Sequence, residues 1–148
     1  GEKFIGNPKS LEKIGAELRS AIIQLETLKG NSMETLMERD LGREYILPFL
    51  KGQQLFQNAV ADVEFAYPVL DGFETLMPKV KIVPVTSEQL IMASDGYPKL
   101  FSTLERTEAH LRDIIENDPL CYQTHKATKG VMKGYHSFDD RAYLKLKI

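Results

Sequence analysis

A chain of 148 residues with 43% hydrophobic and 27% charged residues can bury one core and is too apolar to stay disordered. Its formal net charge of −2, with both signs interspersed, excludes the strongly basic face that phosphate backbones require, so no nucleic-acid partner is expected. No apolar run is long enough to cross a bilayer, the start GEKFIGNPKS is polar rather than signal-like, and the single cysteine, Cys121, rules out an internal disulfide framework, which together predict a cytoplasmic protein with no membrane partner.

Asn7-Pro8 opens a predicted helix over 7–29, with a cap residue followed by proline in the first turn. Leu11, Ile14, Leu18, Ile22 and Leu25 recur at spacings of three and four and predict its buried stripe. Gly30-Asn31 stops it, and Ser32 caps a second helix with Glu34 near its positive end. Leu36, Met37, Leu41 and Tyr45 are expected on the buried side of that helix. Pro48 and Gly52 break the pattern, and a short helical piece follows near 49–57.

The grammar then changes. Residues 63–70 and 80–85 predict two strands, the first closed by an Asp71-Gly72 turn and the second carrying Pro84, an edge or bulge signal. Leu90 to Ala93 reads as a central strand buried on both faces. Ser102-Thr103-Leu104-Glu105 has the form of a capping box, opening a helix that runs to Asn117 with Leu104, Leu111, Ile114 and Ile115 inward. Asp118-Pro119 ends it. Residues 119–137 read as irregular, and Ala142, Leu144, Leu146 and Ile148 alternate with polar or amphipathic residues as a half-exposed last strand. The order predicts an α+β fold, with N-terminal helices packed on a mainly antiparallel sheet in one domain over 1–148.

Two carboxylate sites lie at strand ends: Asp95 after the 90–93 strand, and Asp139-Asp140 before the last one. If those strands are antiparallel neighbours, the carboxylates converge on one rim, where hard divalent cations find oxygen ligands and Gly96 lets the backbone approach closely. Spacing alone favours the plainer reading, a turn, since Asp-Gly is the commonest hairpin pair. Cys121, His125 and His136 lack the four paired ligands of a structural zinc site and read as a solvated loop. His110 reads as a surface residue, and no arrangement around Cys121 marks it as a nucleophile. Lys126, Lys129 and Lys133, with Gly130 and Gly134, form a basic loop before Asp139; it reads first as solvated, and otherwise as a contact for an anionic substrate.

The segments LIMASDGYPKL and SFDDRAYLKLKI resemble the C-terminal half of the metal-dependent protein phosphatase family, type 2C. In that family an apolar strand ends in Ser-Asp-Gly, a helical segment follows, and a Ser-x-Asp-Asn motif runs into the last strand. Ser94-Asp95-Gly96 matches the first motif. Ser137-Phe138-Asp139-Asp140 matches the second, with Asp140 where the family usually has asparagine. The resemblance covers residues 80–148. It implies part of the type 2C α/β sandwich, Asp95 and Asp139 as ligands of Mn2+ or Mg2+, Asp140 as a ligand or a group behind one, and a phosphoprotein substrate. No protein nucleophile is implied. Tyr97-Pro98 departs from the pattern. The family's upstream Asp-Gly motif also has no counterpart, because Asp71-Gly72 lies too close to Asp95 and reads as a hairpin turn. The chain, which begins at Gly1, therefore reads either as the C-terminal part of a longer domain or as a diverged module with incomplete chemistry. The second expected function is a non-catalytic interaction or regulatory module on the same fold, and a sheet missing half its sandwich would favour a homodimer through an open edge or face.

Overall fold

The computed structural model describes residues 10–60 and 62–148. Helix α1 spans Ser10–Leu28, α2 Met33–Glu38, α3 Leu41–Gly52 and α4 Leu104–Asn117; strands β1 (Gln89–Ala93) and β2 (Tyr143–Lys147) form a two-stranded antiparallel sheet. The fold is α+β. The expected helix start at Asn7-Pro8 lies outside the described residues.

Helix α1 ends as its sequence says. Gly30 takes a left-handed φ of +96°, and the Gly30 and Asn31 amides bond back to Thr27 and Glu26. Leu11 is buried as expected, but beyond it the buried face departs from the leucine stripe. Leu11, Gly15, Arg19, Ile23 and Glu26 point inward, while Ile14, Leu18 and Leu25 are about half exposed. The two stripes differ by one residue, or about 100° of rotation. Close approach to α3 selects the inner one: a Cβ on Gly42 would lie 2.9 Å from Arg19 Cγ and from Ile23, and one on Gly15 would lie 3.4 Å from Phe49. The apolar side of α1 is left facing solvent.

Ser32 caps α2, accepting from the Thr35 amide at 3.2 Å. The single helix expected to reach Tyr45 is two helices. Buried Asp40 caps α3 through the Arg43 amide at 2.8 Å, so the chain restarts there. Ile46 fills the interior and Tyr45 is 64% exposed. Pro48 lies inside α3, which Ile46 and the half-buried Phe49 and Leu50 anchor on both sides of it.

The strands expected over 63–70 and 80–85 do not form. Asn58 bonds the backbone of Val69 through both side-chain atoms and accepts from the Leu76 amide, taking groups that a ladder would need. Pro68, Pro78 and Pro84 remove donors from the same stretch. Asp71-Gly72 is a turn, with Gly72 at φ +90° and the Phe73 amide on the Asp71 carboxylate.

Thr103, one residue beyond the expected cap, caps α4 through the Arg106 amide; the third helical position is therefore Arg106, and no capping box forms. Leu111 and Ile114 are buried as expected, with Thr107 between turns, whereas Leu104 is 42% exposed. The sheet is not buried on both faces. Its register pairs Leu90 with Leu146 and Met92 with Leu144 on one face, and Met92 and Leu144 there are about half exposed. The other face is covered where Tyr143 bonds the Phe101 carbonyl and Lys145 that of Ser102. Among the described residues each strand is paired along one edge and open along the other.

Residues 118–138 carry no regular element, yet they hold the core together. Asp118 is fully buried and accepts from the amides of Tyr122, Gln123, Thr124 and His125. Arg19, also fully buried, pairs with Asp40 at 2.7 Å and donates to the carbonyls of Leu120, Cys121 and Ala127. These bonds replace the ladder that the segment lacks. Leu120 joins Ile23 and Leu36 in one apolar cluster, and Cys121, Val131 and Phe138 join Tyr97 and Leu111 in a second.

Candidate functional site

The antiparallel register sets Ala93 opposite Tyr143, so the chain leaving β1 runs beside the chain entering β2. The Ser94 amide donates to the Ala142 carbonyl at 3.1 Å, and Ser94 Oγ accepts from the Ala142 amide at 2.9 Å. Gly96 is buried against the Asp140 backbone, where a Cβ would lie 2.2 Å from the Asp140 carbonyl oxygen. Only glycine fits there. The strand ends in Asp-Gly because the next residue must touch the start of the partner segment. Ser94-Asp95-Gly96 and Ser137-Phe138-Asp139-Asp140 thus meet at one rim.

Asp95 and Asp140 are exposed there, and Asp139 is partly buried. Asp139 Oδ1 receives the Lys129 ammonium at 2.5 Å and also accepts from the Asp140 amide. Of the three lysines expected to face substrate, Lys129 alone pairs at the rim. Lys126 pairs with Glu17, and Lys133 bridges Glu34 and Glu38. The basic loop is therefore neutralised by acids on α1 and α2.

Three further residues brace the rim. The buried Tyr97 hydroxyl donates to Glu108 Oε1 at 2.5 Å, and Arg141 Nε donates to the same oxygen at 3.0 Å. The Tyr97 hydrogen bond, followed by that of Arg141, holds the Glu108 carboxyl below the usual glutamate range. Burial, then Glu108, pushes the Tyr97 hydroxyl up. The cluster ties the loop after β1, helix α4 and the segment before β2 together. Sequence reasoning noticed Tyr97 only as an oddity and missed Glu108 and Arg141; the signal available was that Arg141 directly follows the second motif. The cluster itself helps line an open depression of about 650 Å3, together with Tyr135, His136, Ser137, Asp139 and Asp140. Ser137 Oγ is enclosed and has no hydrogen-bond partner among the described residues.

Of the loop expected to be solvated, Gln123, Thr124, Lys126 and His136 are exposed, whereas Cys121 is buried and His125 half-buried. Cys121 is fully buried, and burial, then Asp118, pushes its thiol up to about 12, which leaves it protonated and poorly nucleophilic. His125 packs against Phe138, and burial lowers its pKa. His110 stands edge-on to Phe101.

Among the described residues, no group of three or more His, Cys, Asp or Glu side chains is placed to hold a metal ion. Asp95, Asp139 and Asp140 therefore do not make up the oxygen cluster that Mg2+ or Mn2+ requires, although the two motifs that carry them meet in the backbone. No helix among the described residues is long and apolar enough to cross a membrane. No family profile, curated protein or solved structure matches the chain.

Proposed function

We propose that the chain is part of a metal-dependent, type 2C-like phosphatase domain acting on phosphoserine and phosphothreonine in protein substrates. The observation that carries this reading is the contact of Gly96 with the Asp140 backbone, which joins the two motifs of the resemblance at one rim. Asp95 and Asp139 would be ligands, with Asp140 beside them, and further carboxylates would come from outside the described residues. Bound Mn2+ or Mg2+ would supply an activated water and neutralise phosphoryl charge. This chain's own part is to hold the rim. Ser94 and Gly96 fix the two backbones, and Glu108 clamps Tyr97 and Arg141 across them.

The second reading, a non-catalytic interaction module, rests on a different observation. The half-exposed Met92 and Leu144, beside Leu146, and the open strand edges fit a covering partner or a second copy of the chain better than water. The two readings separate in an assay of the product of the whole reading frame on a phosphothreonine peptide. The phosphatase reading expects turnover that needs Mn2+ or Mg2+, stops with chelator and falls at least about 100-fold in Asp95→Asn and Asp139→Asn. Folded protein with no metal-dependent turnover moves the assignment to the interaction module.

A further inference from the structure

The two open edges of the sheet are not alike. The Ser94 amide donates to Ala142 and the Ile148 amide to Glu88, so the even-numbered residues of β1 face β2. The N–H and C=O groups of Ile91 and Ala93 point to the other side, with the carbonyl of Gln89. Sheet edges are guarded against further pairing by lysine and proline. The open edge of β2 carries Lys145 and Lys147, whereas β1 has neither residue type. Just before β1 lies a segment that lacks a partner of its own. Residues 81–86, Lys-Ile-Val-Pro-Val-Thr, form no regular element and make no backbone hydrogen bond among the described residues. They are rich in β-branched side chains, which suit a strand, and Ile82 is 85% exposed.

The chain does not supply this strand to itself. A two-residue hairpin at Ser87-Glu88 favours a left-handed φ, which neither residue takes. It would also set Pro84, with no N–H to give, opposite Ile91. Charge says what fits instead. Residues 79–86 carry Lys79 and Lys81 and no acid, while residues 88–95 carry Glu88 and Asp95 and no base. We propose that residues 81–86 of a second copy add to the open edge of β1, antiparallel and reciprocally, about a twofold axis at Ser87. Lys81, Val83 and Val85 then face Ala93, Ile91 and Gln89, and Pro84 falls opposite Leu90, where no N–H is asked for. Ile82 joins the half-exposed Met92 and Leu144 on the apolar face. Lys79 falls opposite Asp95, and no like charges meet. The bend at Ser87 and Glu88, bridged by the Gln89 amide on Ser87 Oγ at 3.3 Å, opens to seat the mate. The inference rests on the interaction reading of the open edge and involves no metal.

Sedimentation equilibrium of the wild-type chain over a range of concentrations is expected to show a reversible dimer. Ile82→Lys sets a charge on the joint apolar face, and Val83→Pro removes a donor; each is expected to weaken the dimer at least about tenfold. Circular dichroism establishes that both variants are folded. Leu70→Lys, at another apolar residue that is 91% exposed, is expected to leave the dimer unchanged. Ser87→Cys tests the register. The axis sets the two introduced thiols directly opposite, with Cα atoms about 5.5 Å apart, within disulfide reach. Mild oxidation is expected to link that variant into a covalent dimer and to leave Leu70→Cys unlinked, the native Cys121 being fully buried. A monomer at every concentration overturns the proposal. So does a dimer that Ile82→Lys and Val83→Pro leave intact, or equal cross-linking of the two cysteine variants. None of these results alters the assay for metal-dependent turnover, so the phosphatase reading stands or falls separately.

Discussion

Replacing Arg19 with alanine is expected to destabilise the fold by about 4 kcal/mol, because it leaves a buried aspartate without its partner. Arg19 has no solvent exposure and Asp40 is 6% exposed. The guanidinium bonds both oxygens of Asp40 and the carbonyls of Leu120, Cys121 and Ala127. Truncation therefore strands one charge and three acceptors at once. It also opens a space between α1, α3 and the 118–131 segment. Domains of this kind are stable by about 5–15 kcal/mol in total, so the loss is a large share of the whole. Urea unfolding followed by circular dichroism measures it. A loss below about 1 kcal/mol would mean that the network is relaxed or wet, since surface substitutions cost about that little.

Gly96→Ala is expected to cost about 3 kcal/mol and to pull the rim apart, in the upper range for overpacking. The added methyl would meet the Asp140 carbonyl oxygen at 2.2 Å and the Arg141 Cβ at 3.0 Å. The first of these atoms is backbone, so relief requires one of two chains to move. Movement on either side separates Asp95 from Asp139 and weakens the Tyr97–Glu108–Arg141 clamp. Gly52→Ala is the control. A Cβ there meets nothing within 4 Å and the backbone is helical, so that change is expected to be neutral or slightly stabilising. Comparison of the two denaturation midpoints tests the contact. Equal midpoints would remove close approach as the reason for glycine at position 96.

The rim was legible in the sequence because its signals are local. An apolar run ending in Ser-Asp-Gly and an alternating run after Asp-Asp each define a strand end, and antiparallel pairing then forces the two together. Most of the helix boundaries were legible for the same reason, through Gly30, Ser32 and Asp118. Helix faces were not. Periodicity assigned Ile14, Leu18 and Leu25 to the core, yet α1 buries Arg19, Ser20 and Glu26 instead. That choice depends on Gly42 of α3 and on carbonyls a hundred residues away, which no local pattern contains. Asp40 was invisible as a cap because the partner that buries it is Arg19. The 63–85 region misled for a related reason. Its apolar residues have strand periodicity, while Asn58 and the three prolines claim or remove the backbone groups that a strand needs. Lys129 was expected to face substrate as one of three alike, and only tertiary structure distinguishes it from Lys126 and Lys133.

On the function proposed above, Asp95 and the Asp139–Arg141 segment form one metal-facing rim. Mn2+ broadens the amide signals of nuclei near it, even at low occupancy, so its position can be read from a spectrum of the 15N-labelled chain. On substoichiometric Mn2+, the account expects the amides of Asp95, Gly96 and Asp139 to Arg141 to lose intensity first and together. Loss centred instead on the acidic side chains of α2, or spread evenly over the surface, would contradict it.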